Sequence, residues 1–78
     1  MNPKTKKQLL KTFGANLREA RLDARSTQAA LARRAGISIA YLRLLERGGR
    51  NPPTTTLVHL ARQLGIPPSQ LLSLPQAS

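Results

Sequence analysis

The chain of 78 residues is long enough for one domain with one modest core and too short for two. Its 13 lysines and arginines stand against 3 acidic residues, and the formal net charge of +10 points to a polyanion as partner, with a solvated basic surface as the plain alternative. No cysteine, one histidine (His59) and three carboxylates leave no disulfide framework, no thiolate, no metal cage and no catalytic carboxylate pair, so no enzyme, cofactor or metal site is expected.

Residues 1–8, MNPKTKKQ, combine Pro3 with a lysine cluster and show no helical period; they are expected to form a flexible basic tail. The apolar pair Leu9 and Leu10 is broken at once by Lys11, which is not the pattern of a secretory signal. No stretch approaches the roughly 18 apolar residues of a membrane span, and a cytoplasmic chain without a membrane partner is expected. Leu10, Phe13, Leu17, Ala20 and Ala24 recur at steps of three and four, which predicts an amphipathic first helix from about Lys7 to Ala24. Gly14 inside it costs ~1 kcal/mol relative to alanine, a sign of either close packing or simple tolerance.

Thr27 is placed to cap a second helix through the amide of Ala29 or Ala30, without a glutamate or glutamine three residues on to complete a capping box. Ser38 is placed to cap a third helix from Ile39 to about Arg47. The following GGRNPP cannot remain helical. A fourth helix lines up Leu57, Leu60, Ala61 and Leu64 and ends at Gly65; Pro67 and Pro68 suit the start of a short fifth, carrying Leu71 and Leu72. LPQAS, residues 74–78, reads as a C-terminal tail, leaving one domain over 9–73 with five helices, no strand and no repeat.

The stretch from Gln28 to Leu45 has a further regularity. Leu31, Ala35, Ile37, Leu42 and Leu45 fall where two short crossing helices would face one another, and small Ala32 where the second presses on the first. Gly36 falls where the turn between them needs a positive φ. This is the layout of a helix-turn-helix unit, whose second helix lies in the major groove of DNA. RNA is disfavoured, because Phe13 and Tyr41 are the only aromatic residues available for base stacking.

From Leu10 to Leu72 the chain resembles the lambda-repressor-like, Cro/repressor or Xre-type, family of DNA-binding domains. The markers are Arg21, Gln28, Leu31-Ala32, Gly36-Ile37-Ser38, Glu46 before Gly48, Pro52, Leu57, Leu60-Ala61 and Leu64-Gly65. The resemblance implies an all-α, compact five-helix lambda-repressor-like domain. It implies an ion pair between Arg21 and Glu46, in keeping with Glu46 being the only acidic residue in the second half of the chain; a solvated helix-end glutamate is the alternative. It also implies that Thr27 and Gln28 contact the DNA backbone at the positive end of the second helix, although Thr27 can equally serve as a cap alone.

The same resemblance sets Ser38, Ile39, Ala40, Arg43 and Leu44 toward the bases, and here the chain departs from the polar pattern of the family. Ile39, Ala40 and Leu44 can meet thymine methyls but cannot bond a purine edge; Arg43 can grip guanine O6 and N7, with Ser38 a weaker reader. A protein-facing role for Ile39 and Leu44 is the competing explanation. Tyr41 can pack its ring on the core edge and bond a phosphate with its hydroxyl. Arg47, Arg50 and Asn51 fall in the loop with which relatives clasp the backbone, unless it is merely a solvated charged loop. Lys4, Lys6 and Lys7 are candidates for an arm along the duplex, while Arg33, Arg34 and His59 read as surface residues, the last with a dimer contact as a second option.

The expected function is therefore a sequence-selective transcriptional regulator, a repressor acting as a homodimer on an inverted-repeat operator. Leu71, Leu72 and Leu74 are expected to help form the dimer surface. Double-stranded DNA is the partner, no small-molecule effector is expected, and the resemblance suggests a bacterial or phage setting at the nucleoid. Three other functions compete: the DNA-binding antitoxin of a toxin-antitoxin pair, a weakly selective nucleoid binder, and a protein-interaction module on a helix-turn-helix scaffold.

Overall fold

α1 (Lys6–Asp23) begins where Thr5 and Gln8 close a capping box, the Thr5 hydroxyl accepting from Gln8 N–H and the Gln8 side chain accepting from Thr5 N–H, each at 3.1 Å. The computed structural model describes residues 5–73. Within them the expected tail is shortened, because Lys6, Lys7 and Gln8 are helical; a threonine and glutamine three apart carried that start signal without any apolar period to announce it. Lys4, Leu74 and the C-terminal tail lie outside the described residues.

The remaining elements follow the sequence reading closely. They are α2 (Gln28–Ala35), α3 (Ile39–Glu46), α4 (Thr54–Leu64) and α5 (Pro68–Leu71), with no strand among the described residues. The Thr27 hydroxyl accepts from Ala30 N–H, and the Ser38 hydroxyl from Tyr41 N–H, both at 3.0 Å, so each cap satisfies one of the free amides at its helix start. α4 starts after Pro53 with no side-chain cap and ends at Gly65; α5 carries Pro68 at its first position.

Every helix sends a fully buried leucine into one core: Leu17 from α1, Leu31 from α2, Leu42 and Leu45 from α3, Leu60 from α4 and Leu71 from α5. Full burial of such a side chain contributes about 1.5–3 kcal/mol. Phe13, Ala20, Ala32, Ala35, Ala61 and Leu64 fill the space between them. The stripe predicted on α1 stops short, since Ala24 is exposed as the C-cap and the next inward position is taken by buried Arg21. Leu71 and Leu72, paired in the sequence reading as one apolar edge, separate completely: Leu71 is 0% exposed inside its own domain and Leu72 is 56% exposed. Leu71 is therefore unavailable to a dimer partner, because the short α5 turn points it inward. Asn16 of α1 secures that turn, donating from Nδ2 to the carbonyls of Leu71 and Ser73 at 3.0 and 2.8 Å.

Candidate nucleic-acid interface

Gly36, Ile37 and Ser38 join α2 to α3. Gly36 takes a left-handed conformation (φ 70°), with its N–H donating to the Arg33 carbonyl and that of Ile37 to the Ala32 carbonyl. These bonds satisfy the last carbonyls of α2 and turn the chain sharply, after which Ile37 packs on the core and Ser38 starts α3. At its far end α3 is pressed against α1. A Cβ on Gly14 would stand 2.6 Å from the carbonyl oxygens of both Leu45 and Glu46, so the glycine marks a close approach and not mere tolerance.

The outer face of α3 is mixed. Ser38, Ala40 and Arg43 are exposed. Ile39 and Tyr41 are half-buried and packed against the core, which brings the Tyr41 ring to the core edge as its spacing after Ile37 suggested. Leu44 is half-buried, and its Cδ1 reaches so near Gly49 that a side chain there would collide with it. Two of the three apolar residues on the candidate reading face thus spend part of their surface inside the domain. Thr27, Arg47, Arg50 and Asn51 are exposed on either side of α3 in sequence, Thr27 before α2 and the others in the turn after α3. Arg33, Arg34 and His59 are exposed as expected, and Arg34 Nη2 donates to Ser26 Oγ at 3.3 Å.

Beneath that face lies the buried ion pair. Arg21 Nε donates to Glu46 Oε2 at 2.7 Å and Nη2 to Oε1 at 3.1 Å, a two-point fork between planar groups. The two side chains are 9% and 3% exposed. The remaining amino group of Arg21 donates to the Ser26 carbonyl at 3.0 Å, which ties in the loop before α2. Glu46 Oε1 also accepts from Gln28 Nε2 at 3.0 Å, and Gln28 Oε1 accepts from Arg43 Nε at 3.2 Å. Among the described residues no buried side-chain nitrogen or oxygen lacks a partner.

Gln28 is where sequence reasoning fell short. Both of its polar ends are engaged within the domain, on Glu46 and on Arg43, and the half-buried side chain lies between them. No sequence signal specified this bridge, because it depends on how α2 and α3 are set in space. The charges are also sorted in a way that composition alone cannot reveal. Glu19 and Asp23 line a cleft of about 210 Å³ with Asn16, Gln70 and Ser73, between α1 and α5. With Glu46 neutralised inside, α2, α3 and the turn after them carry Arg33, Arg34, Arg43, Arg47 and Arg50 with no exposed carboxylate.

A serine-capped helix, turned onto its predecessor by a left-handed glycine and offering an arginine from a cation-rich face, defines a helix-turn-helix DNA-binding domain. The chain belongs to the helix-turn-helix family HTH_3, of the lambda-repressor-like or Xre type, whose family pattern matches residues 17–71. Members of this family are regulators of transcription and not enzymes. The chain is 40% identical over 63 residues to an uncharacterized HTH-type transcriptional regulator, y4dJ, of Sinorhizobium fredii, covering 81% of this chain and 82% of that one. Among solved structures it is similar to the restriction-modification controller protein C.AhdI from Aeromonas hydrophila, with 37% identity and a TM-score of 0.77 over 80% of this chain and 94% of that one. It is also similar to SinR, the master regulator for biofilm formation, solved in complex with DNA, with 26% identity and a TM-score of 0.75 over 78% of this chain and 98% of that one.

Proposed function

We propose that this DNA-binding regulator acts as a homodimer on an inverted-repeat operator and represses transcription by occupying a promoter. The observation that carries the reading is the segregation of charge: the exposed acids Glu19 and Asp23 face the α1–α5 cleft, and the helix-turn-helix side is cationic. In this reading α3 enters the major groove with Arg43 as the principal base contact and Ser38 as a lesser one. Ala40 and the outward parts of Ile39 and Leu44 meet thymine methyls. Thr27, Tyr41, Arg47, Arg50 and Asn51 hold phosphates on either side and set the register.

An α3 of eight residues spans only a few base pairs, too few to pick out an operator, so selectivity requires two copies. Exposed Leu72 and the His59 face of α4 are the dimer candidates that remain once Leu71 is accounted for in the core.

Footprinting across a salt series tests the proposal. The expected result is protection of two half-sites centred about 10 base pairs apart. Log affinity is expected to fall against log salt with a slope of roughly −4 to −7, as four to eight neutralised phosphates require. Protection of one isolated half-site at saturation refutes the dimer, and a slope near zero refutes the assignment of the cationic face to phosphates.

A further inference from the structure

A carboxylate can only accept hydrogen bonds, so Glu46 dictates which end of each neighbouring side chain faces it. Its oxygens take hydrogens from Arg21, and Oε1 takes one more from Gln28 Nε2. With its donor end held on the carboxylate, the Gln28 amide must turn its acceptor end outward. That oxygen receives Arg43 Nε–H at 3.2 Å. A flipped amide would set a carbonyl against the carboxylate and an NH₂ group against a guanidinium, so the buried charge settles the orientation at the surface.

The two arginines at the ends of this chain of bonds are used in opposite ways. Arg21 spends Nε, Nη1 and Nη2 on the protein. Arg43 spends Nε alone, and its two terminal amino groups make no hydrogen bond among the described residues. An arginine anchored through Nε presents both Nη groups end-on, which is the fork that matches guanine O6 and N7.

Building on the reading of Arg43 as the base contact, we infer that Gln28 is a positioning residue for sequence recognition: it holds the Arg43 guanidinium end-on, and the buried Arg21–Glu46 pair fixes Gln28 in turn. Gln28 then serves specificity through Arg43 and not affinity through a phosphate. A flexible arginine that is held before binding loses less freedom when it meets its base, so the correct base gains most from the restraint. Contacts made by other residues gain nothing from it.

Selection of bound sites from random duplexes tests this with the wild type, Arg43→Ala, Gln28→Ala and Gln28→Met. Arg43→Ala identifies the base pair it reads, with preference there expected to fall by roughly 5- to 150-fold. Gln28→Ala is expected to flatten preference at that same base pair by about threefold or more and at no other, a loss well inside the range of one base contact. In the Arg43→Ala background the Gln28 substitution is expected to change preference no further. Should Gln28→Ala fail to fold, Gln28→Met retains the packed stem, removes both polar ends and carries the same expectation. Uniform weakening of all sequences by the Gln28 variants, with preference intact, overturns the inference and returns Gln28 to the phosphates. If Arg43→Ala itself leaves preference unchanged, the base-reading assignment fails first and the inference falls with it.

Discussion

Replacing Gly14 by alanine sets two opposed effects against each other. Alanine is the better helix former by ~1 kcal/mol, and on an exposed helix face the change would stabilise. Here the new Cβ would lie 2.6 Å from the carbonyl oxygens of Leu45 and Glu46 and 2.9 Å from the Glu46 carbonyl carbon, where ordinary contact begins at 3.4 Å. The end of α3 must therefore retreat by about 0.8 Å. These are backbone atoms, and Leu45 is fully buried, so no flexible side chain can yield instead. Overpacking of this kind costs about 1–3 kcal/mol, and two carbonyls struck together place it at the upper end. The net expectation is a loss of about 2 kcal/mol, or a fall of roughly 8–16 °C in Tm for a domain of this size. Thermal unfolding followed by circular dichroism reads the effect, with Ala15→Gly as the reference because Ala15 is exposed on the same helix and should lose only the ~1 kcal/mol of propensity. A Gly14→Ala variant that melts several degrees above the wild type would refute the close approach of α1 and α3.

Other substitutions probe the remaining supports. Glu46→Ala leaves the buried Arg21 guanidinium without its carboxylate and is expected to cost about 3–5 kcal/mol in urea unfolding, while Arg21→Met combined with Glu46→Leu recovers much of the loss; an unchanged midpoint for Glu46→Ala would show the pair to be solvated. Leu71→Ala is expected to cost about 2–5 kcal/mol, whereas Leu72→Ala stays within about 0.5 kcal/mol of the wild-type monomer, and equal effects would contradict their opposite exposures. Ser38→Ala removes the cap of α3 and is expected to cost ~1 kcal/mol of stability, read by the same unfolding curves; no change would mean that the Ser38–Tyr41 bond contributes nothing.

Much of this arrangement is legible in the chain because its signals are local. Thr27, Ser38, Gly36 and Gly65 mark helix ends through bonds and dihedrals that involve only near neighbours, and each lies where its residue type indicates. The apolar period likewise delivered Leu17, Leu31, Leu42, Leu45 and Leu60 to the core. What escaped depends on the third dimension. Whether Gly14 was tolerated or required turned on a helix thirty residues away in sequence. Leu71 and Leu72 are chemically identical neighbours, and only the direction of a four-residue helix separates core from surface. Gln28 at a helix start was ready for a phosphate by every local criterion, yet a carboxylate from α3 and a guanidinium one turn earlier on that helix claim both its ends.

A helix of eight residues has no stability of its own in water, so the position of α3 must be imposed from outside. The Ser38 cap and the left-handed Gly36 fix where it begins. Leu42 and Leu45 hold its inner face in the core, and the contact with Gly14 sets the depth of its last turn. Glu46 then joins that last turn to α1 through Arg21 and to α2 through Gln28. Each restraint acts on a different end or face, so the helix is left neither a free rotation nor a free slide. The side chains that read a groove must be held to a fraction of an ångström, and on so short a helix that precision can come only from its neighbours. Residues of α1 that never approach the reading face, Gly14 and Arg21 above all, thereby share in determining where Arg43 points.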